Sequence, residues 1–203
     1  SQLYLILDKP TVAKRSLDNL VSKILKSGIG IIQLRDKQSD KLDLLNLAIS
    51  LSRRLKKSKV LFIINDHLDV AKLVKADGLH LGQMDLPLSA ARKILGKDYI
   101  IGVSCHNLPQ ALKAQKDGAD YIGIGPVYKT STKPGSNAIG IKVLKQLKGR
   151  INIPYFAIGD ICKNNISKIA SVGVTRVAVC RAILNSKNIK HSARELLSEL
   201  RVK

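Results

Sequence analysis

Eight times along this 203-residue chain, a short run of branched aliphatic residues precedes a segment with the apolar spacing of a helix. Runs that are apolar on both faces belong to parallel strands covered by helices, so the repeat predicts an α/β protein. The strand-like runs are 3–7, 30–35, 60–64, 78–81, 100–104, 121–124, 155–158 and 176–179. The helical patterns between and after them are 17–26, 41–57, 67–75, 88–95, 108–116, 141–147, 164–171 and 192–201. Eight such units predict a single-domain (β/α)8 TIM barrel spanning 1–203. Segments 75–78 and 116–120 read as the same helix-to-strand turn with a glycine C-cap, and Gly28 and Gly173 repeat that placement. This recurrence favours a closed barrel over an open doubly wound sheet. Ser39 with Asp40 signals a helix start.

Composition narrows the partners. With only two Phe, five Tyr and no Trp, the core is expected to be aliphatic. The 35 basic and 15 acidic residues leave a formal charge of +20. Such a charge suits a polyanionic partner, or else lysines spread over solvated helix faces. Lys23, Lys26, Arg53, Arg54, Lys56, Lys57 and Lys59 fall on or beside predicted helices, and no arginine–aromatic alternation suggests base stacking. No specific nucleic-acid partner is expected. Cys105, Cys162 and Cys180 are odd in number and lack CxxC spacing, against a disulfide framework or structural zinc. Without a visible signal peptide or an apolar run of about 20 residues, no membrane partner is expected and the expected location is cytoplasmic.

Five of the strand-like runs end in polar clusters, and such rims are where α/β proteins bind ligands. In Gln33-Leu34-Arg35-Asp36-Lys37, alternation puts Gln33, Arg35 and Lys37 on the face opposite Ile32 and Leu34. Two cations buried in a barrel mouth need anionic partners: a ligand, or acids on other strands. Asn65-Asp66 and Asp85 follow the next two runs. Two carboxylates can hold Mg²⁺ when phosphate oxygens and water complete the shell, although Asp66 also suits a helix cap. Ser104 ends its strand near His106, but the pair lacks a triad arrangement, and His106 is expected to cap or pack. His80 reads as a core histidine. After Gly123-Ile124-Gly125-Pro126, Thr130-Ser131-Thr132-Lys133 forms a hydroxyl-rich loop with one cation and no Walker spacing.

Taken in order, these clusters resemble the thiamine-phosphate synthase family over essentially the whole chain. The resemblance implies a (β/α)8 barrel and a transferase. Its members join a hydroxymethylpyrimidine pyrophosphate to a thiazole phosphate, with Mg²⁺ and release of pyrophosphate. It implies that Gln33, Arg35, Lys37, Asn65, Ser104 and Lys133 hold the pyrimidine pyrophosphate, with Arg35, Lys37 and Lys133 stabilising the leaving group. It further implies that Asp66 and Asp85 bind Mg²⁺, and that Thr130, Ser131 and Thr132 contact the thiazole phosphate. Two positions depart from the family pattern. The Gly-Gly pair after the seventh strand is Gly159-Asp160, and the serine after the eighth gives way to Cys180-Arg181. Both belong to the acceptor's phosphate site, where Arg181 is expected to replace the serine and Asp160 to orient it. The alternatives are a thiazole tautomerase-like relative, or a non-catalytic basic barrel that binds anionic ligands or nucleic acid.

Overall fold

The structure, a computed structural model, describes residues 1–12, 16–130, 135 and 137–200. Eight parallel strands close into a barrel in sequence order, β1 pairing with both β2 and β8. They are β1 (Leu3–Asp8), β2 (Ile31–Arg35), β3 (Leu61–Asn65), β4 (Gly78–Leu81), β5 (Ile100–Cys105), β6 (Tyr121–Ile124), β7 (Tyr155–Ile158) and β8 (Val177–Val179). The surrounding helices are α1 (Lys9–Val12), α2 (Leu17–Leu25), α3 (Lys41–Leu55), α4 (Leu68–Leu73), α5 (Leu88–Leu95), α6 (Leu108–Lys116), α7 (Gly140–Leu147), α8 (Ile166–Ala170), α9 (Arg181–Leu184) and α10 (Ile189–Glu199). Each predicted strand and helix has its counterpart. The short α1 and α9 escaped prediction because a single turn cannot establish a period of 3.6 residues. Among the described residues, no helix is long and apolar enough to cross a membrane.

Local chemistry sets the boundaries. Asp40 caps α3 by accepting from the Asp43 amide at 2.8 Å, and Asn107 caps α6 through Gln110 N–H at 2.9 Å. The expected recurring turn is present but shifted in register. Gly118 takes the left-handed position before β6, with φ +91°, whereas before β4 that position belongs to Lys75, φ +50°. In both turns an alanine and an aspartate follow. Asp77 accepts the Phe62 amide and Asp120 the Ile101 amide, each at 2.7 Å, tying each turn to the strand before. Gly78 is therefore no C-cap. It opens β4, where a Cβ would lie 2.1 Å from the Ile100 carbonyl oxygen.

The core has two layers of different character. Between barrel and helices it is aliphatic as expected, with Ile32 and Leu34 of β2 facing outward into it. The barrel interior departs from that expectation. Tyr4, Tyr121 and Phe156 meet there with ring centroids 5.3–5.8 Å apart, two of the three pairs edge-on. The rings share the lumen with Ile6, Ile31, Ile63 and Ala178, and edge-to-face contact suits their quadrupoles. Room for them comes from glycine: a Cβ on Gly102 would lie 2.0 Å from the Tyr121 ring. Gly102→Ala is therefore expected to lower unfolding free energy by about 1–3 kcal/mol, the range for core overpacking. Urea denaturation with an unchanged midpoint would show that the ring has space to move.

Candidate active site

The carboxyl ends of all eight strands surround one cleft floored by the aromatic layer. Gln33, Arg35, Lys37, Asn65, Asp66, Asp85, Ser104, Thr130, Gly159, Asp160, Cys180 and Arg181 all line it. Ser131, Thr132 and Lys133 lie outside the described residues. Strand pleat explains the gathering: alternate residues point inward, and the last of each series stands at the rim.

Gln33 is buried and donates to the Tyr4 hydroxyl at 2.8 Å. One residue pair higher, Arg35 meets Asp8, its register partner on β1, in an ion pair. Lys37 lies 3.0 Å from Asp66 and its side chain is 53% exposed; Arg35 is partly buried, so neither cation is sunk into the barrel mouth as fully as expected. Past β2 the chain has become a loop, whose residues need not follow the pleat. Asp36 is what holds that loop. Its carboxylate accepts the Gln38 and Ser39 amides, each at 3.1 Å, and lies 3.2 Å from Lys9. Burial pushes the Asp36 carboxyl up, but these bonds outweigh it and hold it below the usual carboxylate range.

Asp66 is no helix cap. The N-cap position of α4 belongs to His67, while the Asp66 backbone turns left-handed at φ +62° and presents its carboxylate to the cleft. Asp85 accepts the Gly82 amide at 2.6 Å and lies within hydrogen-bonding reach of Asp66. Burial, then Asp85, push the Asp66 carboxyl up against the pull of Lys37. For Asp85, burial also raises, yet the bonds to Asp66 and the Gly82 amide leave it lowered.

Across the cleft, Arg181 reaches Asp160 at 2.5 Å, as the two sequence departures suggested. Gly159, with φ +114°, packs so closely on Pro126 that a Cβ would approach to 2.6 Å. His106 bonds the Gly125 carbonyl through Nδ1, a packing role. His80 is buried with both ring nitrogens engaged, as expected of a core histidine, yet it also faces the cleft. Sequence reasoning missed Asp8, Tyr4, Tyr121 and Phe156. A carboxylate directly after an apolar run was the available signal for Asp8, since the same signal found Asp66.

These charges bear on what the cleft can bind. Arg35, Lys37 and Arg181 each already have a carboxylate partner, and Asp85 adds another acid. An anionic ligand therefore needs added positive charge. The two facing carboxylates fit a divalent cation: they repel one another until one takes a proton, and a dication would relieve both. Among the described residues no group of three or more His, Cys, Asp or Glu is placed to hold a metal. A cation at Asp66 and Asp85 would thus draw its remaining ligands from phosphate oxygens and water, as Mg²⁺ does. Lys23, Lys26, Arg53, Lys56, Lys57 and Lys59, outside the cleft, are all exposed on helices or the turns after them.

Known proteins match this chain over nearly its full length. The profile of the thiamine monophosphate synthase family matches residues 3–183. A thiamine-phosphate synthase of Clostridium acetobutylicum is 40% identical over 193 residues, covering 95% of this chain and 92% of its own. One from Halalkalibacterium halodurans is 42% identical, covering 93% and 90%. A solved thiamine phosphate pyrophosphorylase from Pyrococcus furiosus superposes with a TM-score of 0.86 at 31% identity, covering 98% of this chain and 95% of that one.

The carboxylate pair has a consequence for stability. A carboxyl raised by folding contributes stability only while protonated, and that contribution disappears as pH rises through its folded pKa. At neutral pH the raised Asp66 carboxyl opposes folding in the metal-free protein, and asparagine tolerates the left-handed backbone at residue 66 better than aspartate. Lys37, half exposed, loses little with its partner. Asp66→Asn is expected to raise the melting temperature of metal-free protein by a few degrees, about 1 kcal/mol. It should also abolish stabilisation by added Mg²⁺. A lower melting temperature, or an undiminished Mg²⁺ effect, would contradict this account.

Proposed function

The chain belongs to the thiamine monophosphate synthase family, whose members are transferases, and on that premise we propose the reaction in full. It joins hydroxymethylpyrimidine pyrophosphate to thiazole phosphate, releasing pyrophosphate and forming thiamine phosphate. One observation carries the reading: acids, cations and amides from successive strand ends gather around a single cleft with an apolar aromatic floor. A flat heteroaromatic ring suits that floor, and a pyrophosphate suits the rim. The partners are small phosphorylated molecules, and residues 1–203 act as one domain.

The chemistry asks for charge stabilisation and no protein nucleophile. The carbon–oxygen bond to pyrophosphate breaks, leaving a carbocation-like pyrimidinylmethyl carbon that the thiazole nitrogen captures. Arg35 and Lys37 stabilise the departing pyrophosphate, with Lys133 from the loop after Thr130. Asn65 and Ser104 bind its oxygens, and Gln33 holds the pyrimidine edge. Asp66 and Asp85 would hold Mg²⁺, which neutralises pyrophosphate charge when bound. Donors already in place act without reorganisation, and losing one typically costs about 10²–10³ in rate. Thr130, Ser131 and Thr132 bind the acceptor phosphate together with Gly159, Cys180 and Arg181. Asp160 holds the guanidinium, and the 2.5 Å contact between them supports that assignment.

With Mg²⁺ and both substrates, mass spectrometry is expected to detect thiamine phosphate; folded protein that makes none would overturn the reading. Arg181→Ala should raise the KM for thiazole phosphate about tenfold or more, as expected on losing a charged hydrogen bond. The KM for the pyrimidine substrate should be spared, and an unchanged thiazole phosphate KM would remove Arg181 from the site. Asp85→Asn should shift the Mg²⁺ requirement upward, and an unaltered titration would exclude it as a ligand.

A further inference from the structure

Beneath the rim, five side chains from five strands form one unbroken hydrogen-bond chain through the barrel. Gln33 Nε2 donates to the Tyr4 hydroxyl at 2.8 Å, and the Tyr4 and Tyr121 hydroxyls lie 2.9 Å apart. Tyr121 then meets His80 Nδ1 at 2.9 Å, and His80 Nε2 meets Ser104 Oγ at 2.9 Å. Tyr4, Gln33, Tyr121 and His80 are all buried. Burial keeps both phenols protonated far above neutral pH.

Proton counting gives this chain a direction. Each phenol has a single proton to give. Tyr4 accepts from Gln33, so its own proton goes to the Tyr121 oxygen. Tyr121 must then donate to His80 Nδ1. A neutral imidazole that accepts at Nδ1 carries its proton on Nε2, which donates to Ser104 Oγ. The Ser104 proton is thereby left for the cleft, and at the opposite end Gln33 is left with its carbonyl oxygen.

We propose that this relay polarises the donor-substrate pocket, making Gln33 an acceptor and Ser104 a donor, with Tyr121 and His80 as positioning residues. The pocket then selects a ring edge that donates, such as an aminopyrimidine, over one that accepts, such as its oxo counterpart. Ser104 is correspondingly preset to donate to an anionic oxygen. Turning the Gln33 amide over would reverse every bond in the chain, so neither end can change without the other. The substrate assignment rests on the function proposed above; the direction of the chain does not.

Two measurements test it. Long-range ¹H–¹⁵N correlation spectra of labelled protein, with His80 assigned by its loss in His80→Gln, should show the Nε2–H tautomer. An Nδ1–H tautomer would overturn the proposal whether or not the enzyme turns over. Tyr121→Phe removes the central hydroxyl and frees the Gln33 amide to turn. The preference in kcat/KM for the aminopyrimidine pyrophosphate over its oxo analogue should fall about tenfold or more. Because a ratio cancels any loss of folded protein, a purely structural role would leave it unmoved, and an unmoved ratio would sink the relay. Absence of turnover alongside the Nε2–H tautomer would instead fault the substrate reading.

Discussion

The Tyr121 ring lies so close over Gly102, its register partner on the neighbouring strand, that a Cβ there would fall 2.0 Å from it. With no Cβ at 102, the ring lies across the lumen, where it meets Tyr4 and Phe156 and forms the floor of the cleft. Everything above depends on the height and chemistry of that floor. It is apolar on its faces, so a flat ring can rest on it. It carries hydroxyls at its edges, and those hydroxyls join Gln33 to Ser104. A lumen filled with aliphatic side chains could seal the barrel but could not connect its walls by hydrogen bonds.

Above the floor, the rim is balanced more than it is basic. Formal charge suggests a protein ready to seize anions, yet each rim cation described is held by a carboxylate from another element. Paired charges keep their geometry without ligand, which is what preorganised stabilisation of a leaving group requires. They also limit unspecific capture, because an anion must displace or recruit charge to enter. The surplus acid sits where Asp66 and Asp85 face each other, and the raised Asp66 carboxyl costs the metal-free fold stability at neutral pH. Stability is often surrendered in this way at functional sites.

The two halves of the cleft differ in the same terms. Toward β2–β5 the polar groups come from strand ends whose pleat determines where they point. Toward β7 and β8 they come from a left-handed turn at Gly159-Asp160 and from the first residue of a one-turn helix. The Asp160–Arg181 pair joins these less regular segments.

Much of this was legible in the residues alone. Alternation of aliphatic runs and helical patterns determined the barrel, because periods of 2 and 3.6 residues are local properties of the chain. Strand ends rich in Arg, Lys, Asn and Asp marked the cleft, since a parallel barrel brings its carboxyl ends together at one rim. What stayed hidden depends on partners remote in sequence. Tyr4 and Tyr121 are 117 residues apart, and no local pattern says that two tyrosines in apolar strands will share a proton. Nothing in the sequence singled out Gly102, and only closure of the barrel turned it into space for a ring. Asp8 carried a local signal as a carboxylate ending an apolar run, but only register showed that its partner is Arg35. Sequence by itself determined which groups reach the rim, because pleat and period act over a few residues. Tertiary structure decided which of them pair and which way their protons point, because those choices are made across strands that meet only when the barrel closes.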